Sequence, residues 1–265
     1  LPTEAMYQRD TTTAADYSCL PEVVTVTANG ISVTGTVVDF QSRGLLVGAT
    51  VAAFALDDLT FSSPLPGSSV VSDANGAYAL MLPAGTQSRI NWRTQHSSGL
   101  DTYALNSAID TTQDNSGVTR AVVSTLSANA IPALIGTERV AGLGALAGGV
   151  YDCTGNEVRG AIATVSSTSG AGDTAPTFVP GSEVYYFQGA LPVDRGTLIQ
   201  TSAGGNFVIL NIPPTTSSYL QVWGFLDDAA LAMGQAGLSL VSEFRGPVIG
   251  DAIISIAMDP TEGPL

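Results

Sequence analysis

One pattern occurs twice in this 265-residue chain, and a pattern repeated at such spacing means one structural unit built twice. The run Val33-Thr-Gly-Thr-Val-Val-Asp39 returns as Leu146-Ala-Gly-Gly-Val-Tyr-Asp152, with Gly148 in the place of Gly35 and Asp152 in that of Asp39. Val47-Gly-Ala49 returns within Val158-Arg-Gly-Ala161, and the stretch from Ser72 to Pro83 returns from Thr201 to Pro213, with Phe207 for Tyr78. The offset is 113 residues at the aspartates and 129 at Ser72 and Thr201, so the second copy carries a longer loop around residues 168–182.

Within each copy the apolar residues alternate, which is the period of a half-buried strand. Val24, Val26 and Ala28 share one face with Thr25 and Thr27 opposite, and Asn29-Gly30 reads as a hairpin turn into a strand over Ile31–Asp39. A further strand is expected over Leu46–Val51. Asp73-Ala-Asn-Gly76 reads as a turn, because Asp and Asn bond their own backbone and Gly supplies positive φ. Tyr78, Leu80 and Leu82 then form one buried face, and strands follow at Arg89–Thr94, Tyr103–Ile109 and Thr119–Ser124. Between the copies, Leu126, Ile131, Leu134 and Ile135 have helical spacing with Gly136 as a cap. Pro132 would have to sit in the first turn of such a helix, and an irregular linker is the alternative. The expected organisation is an arm over 1–20, a first β-sandwich over 21–124, a linker with a short helix over 125–140, and a second β-sandwich over 141–265.

Gly35-Thr-Val-Val-Asp39, Gly48-Ala-Thr-Val51, Ser72-Asp-Ala-Asn-Gly-Ala-Tyr78 and Pro83-Ala-Gly85 together resemble the carboxypeptidase regulatory-like domain. The second copy departs from that pattern: Ser202-Ala-Gly-Gly205 lacks the turn aspartate and Pro213-Pro214 replaces the final P-x-G. The resemblance implies an all-β chain of two tandem Greek-key sandwiches of transthyretin-like type, used in secreted and surface proteins for folding, adhesion or presentation. It implies no catalytic residue, so Asp39, Gly48, Asp73 and Gly76 are read as turn formers. Related collagen-adhesin B-type domains crosslink internally through lysine, which this chain lacks.

Composition narrows the chemistry further. Charged residues make up 12% and hydrophobic ones 45%, a balance that excludes a disordered chain. All nine basic residues are arginines, scattered against 23 acids for a net charge of −14. Phosphate backbones and anionic membranes need clustered cations, so nucleic acid is not an expected partner. Without lysine there is no Schiff base, phosphate-loop lysine or Lys–Asn isopeptide bond. The single histidine, His96, excludes a multi-histidine metal site, and no serine lies in a G-x-S-x-G elbow. The longest uncharged run, Gly196 to Leu226, is broken by Gly204, Gly205, Pro213 and Pro214, so it is not read as a membrane helix.

The expected site list is correspondingly short: no catalytic, cofactor or metal residue. Cys19 and Cys153 pair in an oxidising compartment or stay as two buried thiols. Asp57-Asp58, Asp110 with Asp114, and Asp227-Asp228 are turn carboxylates, with calcium as the one candidate cation, although none has EF-hand spacing. Trp92 alternates with Ile90 and Thr94 and is expected in the core. Trp223, on one face with Tyr219 and Gln221, is the candidate sugar-stacking platform, and Tyr185 and Tyr186 are further aromatics that could stack on a sugar. The chain is thus expected to be a secreted, periplasmic or cell-surface bacterial protein without enzymatic activity, its basic set fitting a GC-rich genome. It starts at Leu1 as if already trimmed, with a lipid anchor upstream as one arrangement. Its expected partners are proteins, a larger surface complex or further copies of itself, and carbohydrate binding is the alternative.

Overall fold

The computed structural model describes residues 15–16, 24–172 and 176–258. Strands β1 (Ile31–Asp39), β2 (Thr50–Phe54), β3 (Ser69–Val71), β4 (Ala77–Leu82), β5 (Arg89–Gln95), β6 (Gly99–Leu100), β7 (Thr102–Ala108) and β8 (Asn115–Ser124) lead to helix α1 (Thr125–Leu134). Then come β9 (Gly144–Val150), β10 (Ile162–Ser166), β11 (Glu183–Gln188), β12 (Leu191–Val193), β13 (Asn206–Ile212) and β14 (Thr215–Gly224). Helix α2 (Asp228–Ala232) precedes β15 (Ser239–Val248) and β16 (Ile253–Met258). The chain is all-β apart from these helices and one 3-10 turn, and among the described residues no helix is long and apolar enough to cross a membrane.

Two compact units emerge, and they do not follow the chain in order. An N-terminal unit holds residues 24–131 together with Asp251–Ile256, and a C-terminal unit holds 15–16, Pro132–Gly250 and 257–258. The sequence reading kept everything from 141 to 265 together. In the structure, Ile253–Ile256 of β16 instead run parallel to Thr102–Leu105 of β7, and bury Ile254 and Ile256 there. The boundary between the units falls inside α1, within the stretch 125–140.

The N-terminal unit is a sandwich. One sheet runs β4-β1-β8-β6, with β1 antiparallel to β4 and parallel to β8. Opposite it, β3-β2-β5-β7 is antiparallel and β16 is added parallel to β7. Ile31, Val33 and Val37 of β1, Tyr78, Leu80 and Leu82 of β4, Val51 and Ala53 of β2, and Ile90 and Trp92 of β5 fill one common core. This is the alternation expected at Tyr78, Leu80 and Leu82, and burial of one such face is what fixes register.

Three local readings are corrected. Val24–Ala28 makes only an isolated bridge, Val26 to Gln87, and its inward residue is Thr27 while Val26 is 56% exposed. Thr27 wins the interior because its hydroxyl donates to the Pro83 carbonyl and accepts from the Thr86 N–H, so no buried polar group is left unpaired. The strand read over Leu46–Val51 starts at Thr50, because Gly48 takes φ +79° and turns the chain first. Pro132 lies near the end of α1, not in its first turn, and the helix stops two residues later. A proline there has no N–H to give the Ala128 carbonyl four residues back, and the helix ends within a turn of it; Leu126 and Leu134 stay exposed while Ser127 and Ala128 face inward.

The C-terminal unit contains an antiparallel sheet β12-β11-β13-β9 and a second one, β10-β14-β15. The repeat seen in the sequence is reproduced bond for bond. Ala49 N–H donates to Ser72 Oγ, which donates to the Leu46 carbonyl; Ala161 N–H donates to Thr201 Oγ1, which donates to the Val158 carbonyl. Gly48 N–H reaches the Ser72 carbonyl as Gly160 N–H reaches that of Thr201. Val37 N–H meets the Gly76 carbonyl and Val150 N–H that of Gly205, both glycines at positive φ.

Candidate functional site

Several of the acidic residues singled out in the sequence accept hydrogen bonds from their own loops. Asp39 Oδ1 accepts from the N–H groups of Gln41 and Ser42 and from Ser42 Oγ; these bonds, that from the Ser42 backbone first, hold its carboxyl below the usual range. Asp152, its counterpart, accepts from Thr154 N–H, Thr154 Oγ1 and Asn156 N–H. Burial pushes the Asp152 carboxyl up, but those bonds and one from Asp16 N–H outweigh it and the net shift is downward. Asp58 is arranged likewise with Ser63, Thr60 and Ser62, and Asp110 is held down chiefly by the Thr112 hydroxyl. Asp114 accepts from Ser32 N–H, and Asp227 caps α2 at Ala230 N–H. Among the described residues no group of three His, Cys, Asp or Glu side chains is placed to hold a metal ion.

His96 sits in the turn after β5. Its Nε2 lies 3.1 Å from the Val47 carbonyl, which can only accept, so Nε2 carries the proton and Nδ1 accepts from Ser98 at 2.7 Å. The pair is two residues apart in one turn, and a backbone carbonyl stands where a catalytic triad has a carboxylate.

The aromatic platform is overturned. Trp223 is 0% exposed and packs with Ile162, Phe225 and Leu238, while its indole N–H donates to Gln221 Oε1. A ring covered on both faces cannot stack on a sugar, and the half-buried Tyr219 beside it makes no platform alone. Trp92 is in the core as expected, with the Arg120 guanidinium 4.5 Å above its ring. Tyr186 is likewise buried; its hydroxyl accepts from Ala163 N–H and burial pushes the phenol upward.

Cys153 is disulfide-bonded, and no free cysteine is found among the described residues. Its presumed mate in the sequence reading, Cys19, lies outside the described residues, but the chain three residues before it is anchored beside Cys153. Asp16 accepts from Cys153 N–H at 2.8 Å and donates its own N–H to Asp152.

One constellation was missed in the sequence. Thr164 on β10, Gln221 on β14 and Glu243 on β15 are register partners in a row across their sheet. Thr164 and Gln221 are 0% exposed and Glu243 is 1% exposed. Glu243 accepts from Ser169 Oγ at 2.6 Å, Gly170 N–H at 2.6 Å and Gln221 Nε2 at 2.9 Å. The only signal in the sequence is a polar residue at an inward position of each strand, and such residues are ordinarily read as facing solvent.

An open recess of about 470 Å³ is walled by Ile162, Phe178, Val184, Tyr186 and Leu198, with Arg195 at its rim. Gly181 and Ser182 also line it, so its wall mixes apolar and polar groups.

No family model matches the chain and no curated protein matches it. Among solved structures, a streptococcal ancillary pilin is 17% identical over 87% of this chain and 62% of its own, with a TM-score of 0.23. The shaft pilin SpaA of Lactobacillus rhamnosus GG is 11% identical over 91% and 100%, with a TM-score of 0.24. An Acinetobacter radioresistens catechol 1,2-dioxygenase is 15% identical over 33% of this chain and 37% of that one, with a TM-score of 0.20. The chain thus spans under two thirds of the dioxygenase and of the ancillary pilin.

Proposed function

We propose that this chain is an extracellular structural or interaction protein without catalytic activity, made of two regulatory-like, transthyretin-type sandwich modules and acting as a subunit of a bacterial surface assembly. The observation that carries the reading is the use of its polar groups. The side chains that the two repeats hold in common, Asp39 with Asp152 and Ser72 with Thr201, bond to their own backbone, so their chemistry is spent on shaping turns. Sheet edges supply the means of association. Among the described residues β3 is a three-residue edge strand with β2 as its one strand partner, and Val71 on it and Val47 beside it are both exposed. An edge strand has one row of unpaired backbone groups, which a further strand can pair.

Cys19 and Cys153 are proposed as the disulfide pair, which agrees with an oxidising compartment. The partner class is protein. Light scattering over a range of concentrations tests the reading: a mass rising above the 27.0 kDa chain, and abolished by Val71→Lys on the β3 edge, is expected. A mass that stays monomeric at high concentration, alone and with surface extract, overturns it.

A further inference from the structure

A buried carboxylate needs compensation, and Glu243 has it only from neutral donors: Ser169 Oγ, Gly170 N–H and Gln221 Nε2. Gln221 is saturated as well. Its Nε2 also donates to the Thr168 carbonyl at 3.0 Å, and its Oε1 accepts from the Trp223 indole N–H at 3.2 Å. Thr164 is the exception. Its hydroxyl lies 3.4 Å from Gln221 Oε1, well beyond the usual 2.7–2.8 Å or so for a hydroxyl donor. A dry hydroxyl so weakly held is costly where it is, unless it is used for something else.

The four groups fill the roles of acyl transfer. Thr164 supplies an oxygen nucleophile, Gln221 a carboxamide, and Trp223 a donor already on the oxygen that would become negative. Glu243 supplies a proton-transfer group in contact with the nitrogen that would depart. Strand register holds them opposite one another, which replaces the entropy cost of encounter. We propose that Thr164 and Gln221 form an intramolecular ester crosslink between β10 and β14, assisted by Glu243.

The step balances without an external reagent. Thr164 Oγ1 forms a bond to Gln221 Cδ, and the negative charge that develops on Oε1 is met by the Trp223 N–H. The Cδ–Nε2 bond then breaks, the Thr164 hydroxyl proton ends on the departing nitrogen, and ammonia leaves from beside the Glu243 carboxylate that holds Nε2. Water that would hydrolyse an exposed ester has no access, since none of the three side chains exceeds 1% exposure. The crosslink ties β10, an edge of its sheet, to the central strand β14. It would thus do through Thr and Gln what a chain without lysine cannot do through an isopeptide bond.

Intact-mass measurement of the reduced full chain tests this directly. Loss of one ammonia makes the folded protein about 17 Da lighter than its sequence. Cleavage after arginine under denaturing conditions separates Thr164, in the peptide ending at Arg195, from Gln221, in the peptide ending at Arg245. The two peptides are expected to remain joined and to be released by hydroxylamine. Thr164→Val is expected to restore the full mass, Thr164→Ser to keep the deficit, and Glu243→Gln to slow or abolish its appearance after refolding. A wild-type chain at full sequence mass overturns the proposal, as does a deficit that persists in Thr164→Val. The wild-type result stands even if a variant fails to fold.

Discussion

Thr201 and Ser72 each satisfy a buried N–H and a buried carbonyl at once, and each does so at the same point of its repeat. Thr201→Val keeps the shape and leaves Ala161 N–H and the Val158 carbonyl unpaired, at a cost of about 1–3 kcal/mol. Thr201→Ser is expected to lie close to wild type. The midpoint of urea unfolding distinguishes the two. The turn carboxylates make a second prediction. Asp58 and Asp152 are pushed up by burial and pulled down further by their hydrogen bonds, so their folded values lie below the ordinary 3.8. A carboxyl depressed in the folded state contributes stability that is fully present above about pH 4 and is lost as pH falls through the folded value. Unfolding midpoints of Asp152→Asn should therefore be below wild type near neutral pH and converge with it in acid; a constant gap at all pH values would assign the effect to something other than the charge. The buried residues also show where reading from sequence stops. Trp223, Gln221 and Tyr219 were correctly placed on one side of a strand, but β14 is the middle strand of its sheet and its opposite side, Leu220 and Val222, is buried too. Alternation identifies two faces and does not say which of them is covered.

At the level of elements, β16 is the decisive one. It is distant in sequence from every strand of the N-terminal unit, and four of its residues complete that unit's second sheet beside β7. Ile254→Ala removes a side chain with no solvent exposure and is expected to cost about 2–5 kcal/mol. Hydrogen exchange gives the test a location, because protection should fall first in Thr102–Ala108. Loss of protection confined to β14 and β15 would place β16 with the other unit. A strand of Ile-Ile-Ser-Ile-Ala-Met is legible as a strand from its composition, but nothing local names its neighbour. Pairing is settled by backbone groups that are equivalent in every strand, and a parallel neighbour leaves no hairpin turn to reveal it. The helix shows the converse. Its existence was legible from spacing and from Gly136, which takes φ +72° just beyond its end. Its inward face was not, since Leu126 and Leu134 face outward.

For the whole molecule, the strongest lever is the covalent tie at Cys153. If it joins Cys19, the closed loop exceeds a hundred residues, and opening it is expected to cost up to about 5 kcal/mol. Cys19→Ser should then lower the unfolding temperature to that of the reduced wild type; a Cys19→Ser protein as stable as the oxidised wild type would rule the pairing out. Much of this was written in the residues themselves. The repeat, the strand periods and the glycine turns are local or nearly local, because period two and positive φ are properties of a few consecutive residues. The absence of lysine and the shortage of histidine likewise closed off whole chemistries from the sequence alone. Tertiary structure alone decided that the last strand serves the first unit and that Trp223 is interior. It alone set Thr164, Gln221 and Glu243 in one dry row, since their distances depend on how separate strands align, and alignment is a property of the packed sheet.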